Sequence, residues 1–468
     1  MRVPLTGGAY EARSVIAGAQ RCINLMPEPI PQDEQEPVSV VHYPTPGLSP
    51  LVTAPVHGAG RGAYRARTGT VFAVIGSKVF VITSTTSVRA IGDITSSTGP
   101  VSMSDNGVDL VIVDGSPSGW RADAFDGGNF RAIVDPAFYG ANTVDVIDGF
   151  FVFDRPHTAQ FYLSLNVSTA FDPLYIASKS NSDRTVAVCV TNRQVWVFGE
   201  MTSEIYQNAG TPDFPLQAIG GGIEHGCVAP YAVRKMDGGV FWLTKDRDGV
   251  GMVMRGQGYQ ATRVSTHAIE AIFLKYARID DAIAWTYQQN GHSVYVISFP
   301  TANATWAYDM ASRCWHEMQS SGGRHLGTFQ VAAFGMNIVG SYTTSTLYAL
   351  DPGAGTDDGK PIKRLRSFPH MIKNANRVFY KSLIADMQTG TVAAGLVEPQ
   401  LTLRWSDDRG ASWSMPITTG MGLSGSGITS LQFQRLGMAR DRVFELSWDT
   451  PAFTALQGAW IQTKEAAS

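Results

Sequence analysis

The residue types that do chemistry are present in this chain, but they are not grouped. Nine histidines are scattered over 468 residues with no H-x-x-x-H or H-E-x-x-H spacing, the pattern that would turn two imidazoles toward one zinc ion. The four cysteines, Cys22, Cys189, Cys227 and Cys314, lie far apart and form no C-x-x-C pair. That spacing supports neither a zinc ribbon nor a disulfide framework, and points to buried free thiols in a reducing compartment. A phosphate-cradling loop needs its Gly-Lys to be followed by Ser or Thr at a helix start, whereas Gly359-Lys360 is followed by Pro361. Gly58, Gly60 and Gly62 are closely spaced, but no helical pattern follows them, which argues against a dinucleotide loop. Gly115-Ser-Pro-Ser-Gly119 puts proline where a nucleophile elbow needs serine. Asp246-Arg247-Asp248-Gly249 opens like a calcium loop, lacks the further ligands and closing glutamate, and reads as a solvated turn. Glycoside cleavage would need two carboxylates facing each other across the bond, and spacing nominates no such pair. No catalytic residue, metal or cofactor is assigned.

Two local patterns do carry physics. Ser406-Asp407-Asp408-Arg409-Gly410-Ala411-Ser412-Trp413 resembles the Asp box, S-x-D-x-G-x-[ST]-W, with Ser406, Asp408, Gly410, Ser412 and Trp413 in the matching places. Its physics is that of a hairpin loop, in which the carboxylate takes backbone N–H groups, glycine supplies the turn and tryptophan packs beneath. The box is best known from sialidases, where it is structural and lies away from the catalytic site. It therefore marks a β-hairpin rather than a glycosidase. The second pattern is cationic. Lys360, Lys363, Arg364, Arg366, Lys373, Arg377 and Lys381 fall in one run without an acidic residue, on a chain whose net charge is −3. Such a band is a patch facing DNA or a partner, or else a solvated loop and strand face.

The elements that must position these residues are strands. Apolar runs recur in pairs around short polar or glycine turns near positions 76, 106, 148, 192, 238, 290 and 335, with successive gaps of about 30, 42, 44, 46, 52 and 45. The turn residues Asn-Gly, Asp-Gly and Asp-Gly-Gly tolerate the positive φ that tight hairpins require. A hairpin every forty-odd residues is the signature of propeller blades. An all-β fold follows, with a β-propeller of six or seven blades; a sandwich pair or irregular β array is the alternative. One helix is expected, over His267 to Asp281. The Pro-rich stretch before the first hairpin and the Gly/Asp/Pro-rich stretch from Asp351 to Pro361 divide the chain. Residues 1–56 are an arm, 57–350 the propeller, 351–376 a linker with the basic band, and 377–468 a C-terminal β domain. The arm is expected to pack with the C-terminal segment as a ring-forming platform. Charged residues are only 16 % of the chain, against the usual quarter, which suggests surface buried against other subunits. No stretch approaches the ~20 apolar residues of a membrane span. The first ten residues have no secretory pattern.

The run Ala9 to Pro29 (AYEARSVIAGAQRCINLMPEP), with Tyr43-PTPG-Leu48, resembles the opening of the packaged-DNA stabilisation proteins of short-tailed phages. Arg364 to Gly390, Arg435 to Trp460 and Asn290 to Met318 are similar to later stretches of the same family. The resemblance implies a structural virion protein, the tail hub or nozzle. It would form a homohexameric ring below the portal and head-to-tail adaptor rings, and extend the channel for packaged double-stranded DNA. It would accept a tail needle or plug and tailspikes or tail fibres, with assembly in the host cytoplasm. Within the matching motif, Arg13, Gln20, Arg21 and Asn24 are candidates for hydrogen bonds between elements or subunits, with Val15, Ile16 and Ile23 burying alongside. The rival readings are a propeller glycosidase or lyase, and a carbohydrate-binding propeller stacking sugars on Trp196, Trp242 and Trp285.

Overall fold

The computed structural model describes residues 2–3, 7–14, 18–30, 39–372, 376–388, 397–423 and 429–465. The recurring hairpins build seven blades of four antiparallel strands. Their innermost strands are Gly60–Arg65, Ser102–Asp105, Val144–Ile147, Thr185–Thr191, Arg234–Met236, Ile283–Gln289 and Gly327–Ala333, and residues from all seven line one central cavity. The open choice between six and seven blades thus resolves to seven. Blade 7 takes only three strands from 327–351; its fourth, outer strand is Gly47–Thr53, paired antiparallel to Thr346–Asp351. A stretch expected to belong to the arm therefore completes the last blade.

Local chemistry sets the hairpins. In blades 3 to 7 the first two strands are joined by two-residue turns at 148–149, 192–193, 237–238, 290–291 and 334–335. Both turn residues have positive φ, as in Asn290 (51°) and Gly291 (83°), the geometry whose twist matches the strands it joins. The short first gap has a simple origin. The turn at 76 joins the second and third strands of blade 1, whereas the later turns join first and second strands.

The core is divided among the seams between blades. Ala73 and Ile75 of blade 1 pack with Phe329, Val331 and Ile338 of blade 7, so the last blade closes on the first. Between blades 4 and 5, Trp242 lies 5.9 Å from Trp196 and 5.2 Å from Phe198, ring centre to ring centre. Fully burying such side chains contributes roughly 1.5–3 kcal/mol each, which is what holds blades that share no backbone ladder. The helix is shorter than expected, His267–Phe273, capped at its start by the Thr266 side chain on the Ile269 N–H. It ends where Lys275 and Tyr276 switch to tighter bonds, three residues back, to Ile272 and Phe273.

Beyond the propeller, two sheets enclose a further core. One contains Thr429–Gln434, Val378–Gln388 and Ala455–Glu465, and continues into the N-terminal strands Ser39–Pro44 and Leu25–Ile30. The other contains Ile417–Gly420, Gln400–Ser406, Asp441–Trp448 and Arg364–Ser367. This second sheet is continuous with blade 6, because Ile23 pairs with Leu365 on one side and with Glu317, in the outer blade strand, on the other. Leu383, Leu431, Phe433 and Ile461 of the first sheet meet Leu401, Leu403, Phe444 and Leu446 of the second.

Candidate functional site

The cationic run does not form one surface. Lys360 and Lys363 are exposed, but Arg364 and Arg366 are 1 % and 0 % exposed, because alternate residues of a strand covered on both faces have no solvent side. Arg364 donates to the Thr450 carbonyl at 2.7 Å, and burial pulls its pKa down to about 10. Arg366 donates to the carbonyls of Gly7, Gly8 and Arg21 and to Gln20 Oε1 at 3.2–3.3 Å, pinning the N-terminal arm. The expectation that these two arginines face DNA or a partner is corrected: they are internal ties. Lys373 lies outside the described residues.

Arg377 and Lys381 are exposed, and the fold gives them company that the run does not contain. They flank the start of Val378–Gln388, where Phe379 pairs with Met438 on one side and Lys464 on the other. The register Val378↔Ala439, carried one step on, sets Arg377 opposite Arg440. Arg435, in the adjoining turn, donates its N–H to the Lys381 carbonyl. Arg377, Lys381, Arg435, Arg440 and Lys464 are all exposed, and among the described residues none is in an ion pair. Two carboxylates that follow these strands in the neighbouring segments, Asp441 and Asp407, are already engaged. Asp441 lies 2.7 Å from Arg409 and 2.9 Å from His370, and Asp407 is 2.5 Å from Arg442. Large apolar groups are exposed on the same strands: Phe379 and Met438, paired with each other, are 45 % and 38 % exposed, and Trp460, farther along the strand of Lys464, is 44 % exposed. Five unpaired cations beside exposed aromatic and sulfur side chains can attract an acidic surface and then bury area against it. Sequence reasoning missed Arg435, Arg440 and Lys464. The outward alternation of Trp460, Gln462 and Lys464 was legible, but strand partners fifty or more residues away were not.

The remaining candidates are internal. Asn24 is 2 % exposed and joins three segments, donating to the Gln319 and Lys363 carbonyls at 3.0 and 2.8 Å and accepting from the Gln319 N–H at 2.8 Å. Gln20 accepts from Arg366, Arg21 stands 3.9 Å from Glu11, Arg13 is exposed and Ile23 is buried. Val15 and Ile16 lie outside the described residues. In the Asp-box-like loop, Asp408 accepts from the Ser412 N–H at 2.8 Å and from the hydroxyls of Ser406 and Ser412 at 2.7 and 2.5 Å. Those bonds hold its carboxyl down to about 2. Gly410 (φ 99°) donates its N–H to Ser406 Oγ, and the Arg404 guanidinium lies over the Trp413 ring at 4.5 Å.

Trp196, Trp242 and Trp285 are at most 2 % exposed, which removes them as sugar-stacking platforms. Asp246 caps its own turn, accepting from the N–H groups of Asp248 and Val250. Among the described residues no cluster of His, Cys, Asp and Glu could hold a metal, and no helix is long and apolar enough to cross a membrane. Burial pushes the thiols of Cys22 to about 11 and of Cys189 and Cys227 to about 12, away from nucleophilic chemistry.

Residues 1–354 match the family Phage_stabilise, described as bacteriophage P22 Gp10, beta-propeller. The chain belongs to this family. Phage_stabilise proteins are structural phage proteins rather than enzymes, which answers the glycosidase and lyase readings. The match spans the arm and all seven blades and stops short of the cationic face. Among solved structures, the WD40 propeller domain of Doa1 is similar at 10 % identity, over 65 % of this chain and 96 % of that one, with a TM-score of 0.40. The designed protein Ika8 is similar at 10 % identity, over 65 % and 99 %, with a TM-score of 0.39. Among curated proteins none matches the chain.

Proposed function

We propose that this structural phage protein is the tail hub or nozzle of a short-tailed phage. In this reading it forms a homohexameric ring below the portal and head-to-tail adaptor rings, built in the host cytoplasm and carried in the virion tail. The ring helps retain packaged DNA and seats the needle or plug and the tailspikes or fibres. The observation that carries the reading is the exposed C-terminal face, where the ladder sets Arg377, Lys381, Arg435, Arg440 and Lys464 beside Phe379 and Met438. Cations outside any ion pair beside exposed apolar area suit an acidic neighbouring ring better than a phosphate backbone, which offers nothing apolar to bury. The duplex itself has to pass between subunits. A cavity of about 320 Å³ at the propeller axis cannot admit DNA whose major groove alone is ≈ 12 Å wide.

The test is Lys381→Gln, Arg440→Gln and Lys464→Gln together, scored by particle assembly and genome retention. The expected result is a ring that detaches at moderate salt and particles that leak DNA. Mature particles that hold their genome as the parent does would overturn the role of this face. Electron microscopy of the assembled tail that showed no ring of these subunits would overturn the hub itself. Should the face instead contact DNA, the purified protein would bind duplex with a salt slope of roughly −0.9 per phosphate engaged.

A further inference from the structure

The propeller axis holds a group the hub role leaves unused. Three cations, Arg61, Arg234 and Lys235, and one carboxylate, Asp145, line the central cavity of about 320 Å³. Two of the cations already have a carboxylate beside them. Arg61 donates to the carbonyls of Gly76, Ser96 and Gly99 and to Ser96 Oγ, with Asp114 at 3.9 Å. Lys235 Nζ lies 2.6 Å from Asp145 Oδ2, which also accepts from the Val190 N–H. Arg234 is different. It is partly buried at the cavity wall, its one hydrogen bond runs from Nη1 to the Val233 carbonyl next to it, and no carboxylate pairs with it.

Its neighbours are neutral. The Tyr295 hydroxyl is spent on the Ala232 carbonyl, and burial holds the Cys189 thiol protonated. A guanidinium cannot shed its proton, so Arg234 keeps its charge at the cavity wall, with N–H groups that no protein acceptor takes. Its free N–H groups form a planar fork, and the matching ligand is an oxyanion that takes two parallel bonds.

We propose that the central cavity of the propeller binds a phosphate-class oxyanion on the Arg234 guanidinium. The ion would neutralise the one unpaired charge at the point where all seven blades converge. It would thereby act as a pin for the propeller, independently of what the C-terminal face contacts.

The experiment uses the full chain purified without phosphate, titrated with inorganic phosphate. Phosphorus NMR line width and the melting temperature are followed in the parent, in Arg234→Gln and in Arg193→Gln, an exposed control. Phosphate raises the melting point of most proteins by exclusion from their surface, so the comparison between variants decides. The expected result is a saturable rise with line broadening in the parent and in Arg193→Gln. Arg234→Gln should lose at least about tenfold in affinity, the loss of one charge-assisted fork. Identical phosphate dependence in the parent and Arg234→Gln, or no broadening in the parent, would overturn the proposal. If Arg234→Gln fails to fold, Arg234→Lys keeps the charge without the fork and should bind about tenfold more weakly; unchanged binding there would overturn it equally. Adenosine monophosphate in place of phosphate separates the sources. Equal affinity makes the ligand a phosphomonoester, and exclusion makes it the free ion.

Discussion

Replacing Asn24 tests whether the arm, the propeller and the C-terminal sheets are one mechanical unit. The residue is buried, sits at φ 52°, and its amide serves three backbone groups: the Gln319 N–H and the carbonyls of Gln319 and Lys363. Asn24→Ala strands all three. An unpaired buried backbone group costs about 1–3 kcal/mol, and alanine at positive φ adds roughly 1. Because partial relaxation makes these terms less than additive, the expected loss is about 3–5 kcal/mol. Asn24→Gly removes the same bonds but accepts the backbone, so it should recover roughly 1 kcal/mol of that loss. Asn24→Asp keeps an acceptor for Gln319 N–H and turns a carboxylate toward two carbonyls. Its penalty should be largest at neutral pH and shrink in acid, where the protonated carboxyl can donate again. Thermal unfolding gives the ranking, and limited proteolysis shows whether cuts appear first in the arm. Alanine and glycine variants both within about 0.5 kcal/mol of the parent would refute the clasp, since that is the scatter of neutral surface changes. Equal losses for the two would refute the backbone part alone.

Two further outcomes follow from the core. A Cβ on Gly256 would lie 2.5 Å from Trp196 Cη2 in the seam between blades 4 and 5; Gly256→Ala should therefore cost about 1–3 kcal/mol by overpacking. Trp196→Phe withdraws that atom and gives up no hydrogen bond, because the indole N–H has no partner. In its background the alanine should lose much of its cost, keeping the part that comes from Trp242 Cζ3 at 3.0 Å, and a double-mutant cycle without that coupling would remove the proposed contact. His316 is buried with neither ring nitrogen hydrogen-bonded, and burial lowers its pKa to about 4. The unfolded chain thus takes up a proton near pH 6.5 that the folded one refuses until about pH 4, so this residue withdraws stability as the pH falls through that window, by an order of 3 kcal/mol. Melting temperatures of His316→Met across pH 4–7 should fall less steeply than those of the parent, and parallel curves would contradict the assignment.

The repeat was legible because each hairpin announces itself locally. Asp148-Gly149, Asp237-Gly238 and Asn290-Gly291 are turn signals whatever surrounds them, and the fold uses them as read. Blade number was harder, because blade 7 borrows Gly47–Thr53 from nearly 300 residues earlier, and no local pattern reports such a pairing. The cationic band failed for a related reason. Charge in a sequence predicts a surface only when one face of the element meets water. Arg364–Ser367 is enclosed between the arm and Asp441–Trp448, so two of its four residues are arginines that serve carbonyls instead. Conversely, Arg435, Arg440 and Lys464 join Arg377 and Lys381 only through the ladder of the C-terminal sheet.

That ladder also constrains how the molecule comes apart. The first fifty-odd residues complete blade 7, bridge blade 6 to Arg364–Ser367, and extend the first C-terminal sheet through Ser39–Pro44 and Leu25–Ile30. Pulling the C-terminal sheets away would expose the ladder edges of those same arm strands, and pulling the arm away would open the outer edge of blade 7 and uncover Arg366. An unpaired strand edge inside a core costs the hydrogen bonds of alternate residues along it. A load arriving at the exposed C-terminal face therefore reaches the blades through continuous backbone ladders rather than through a flexible joint. Stiffness of that kind comes from closing the chain on itself at both ends, a property that neither the propeller repeat nor the C-terminal sheets have alone.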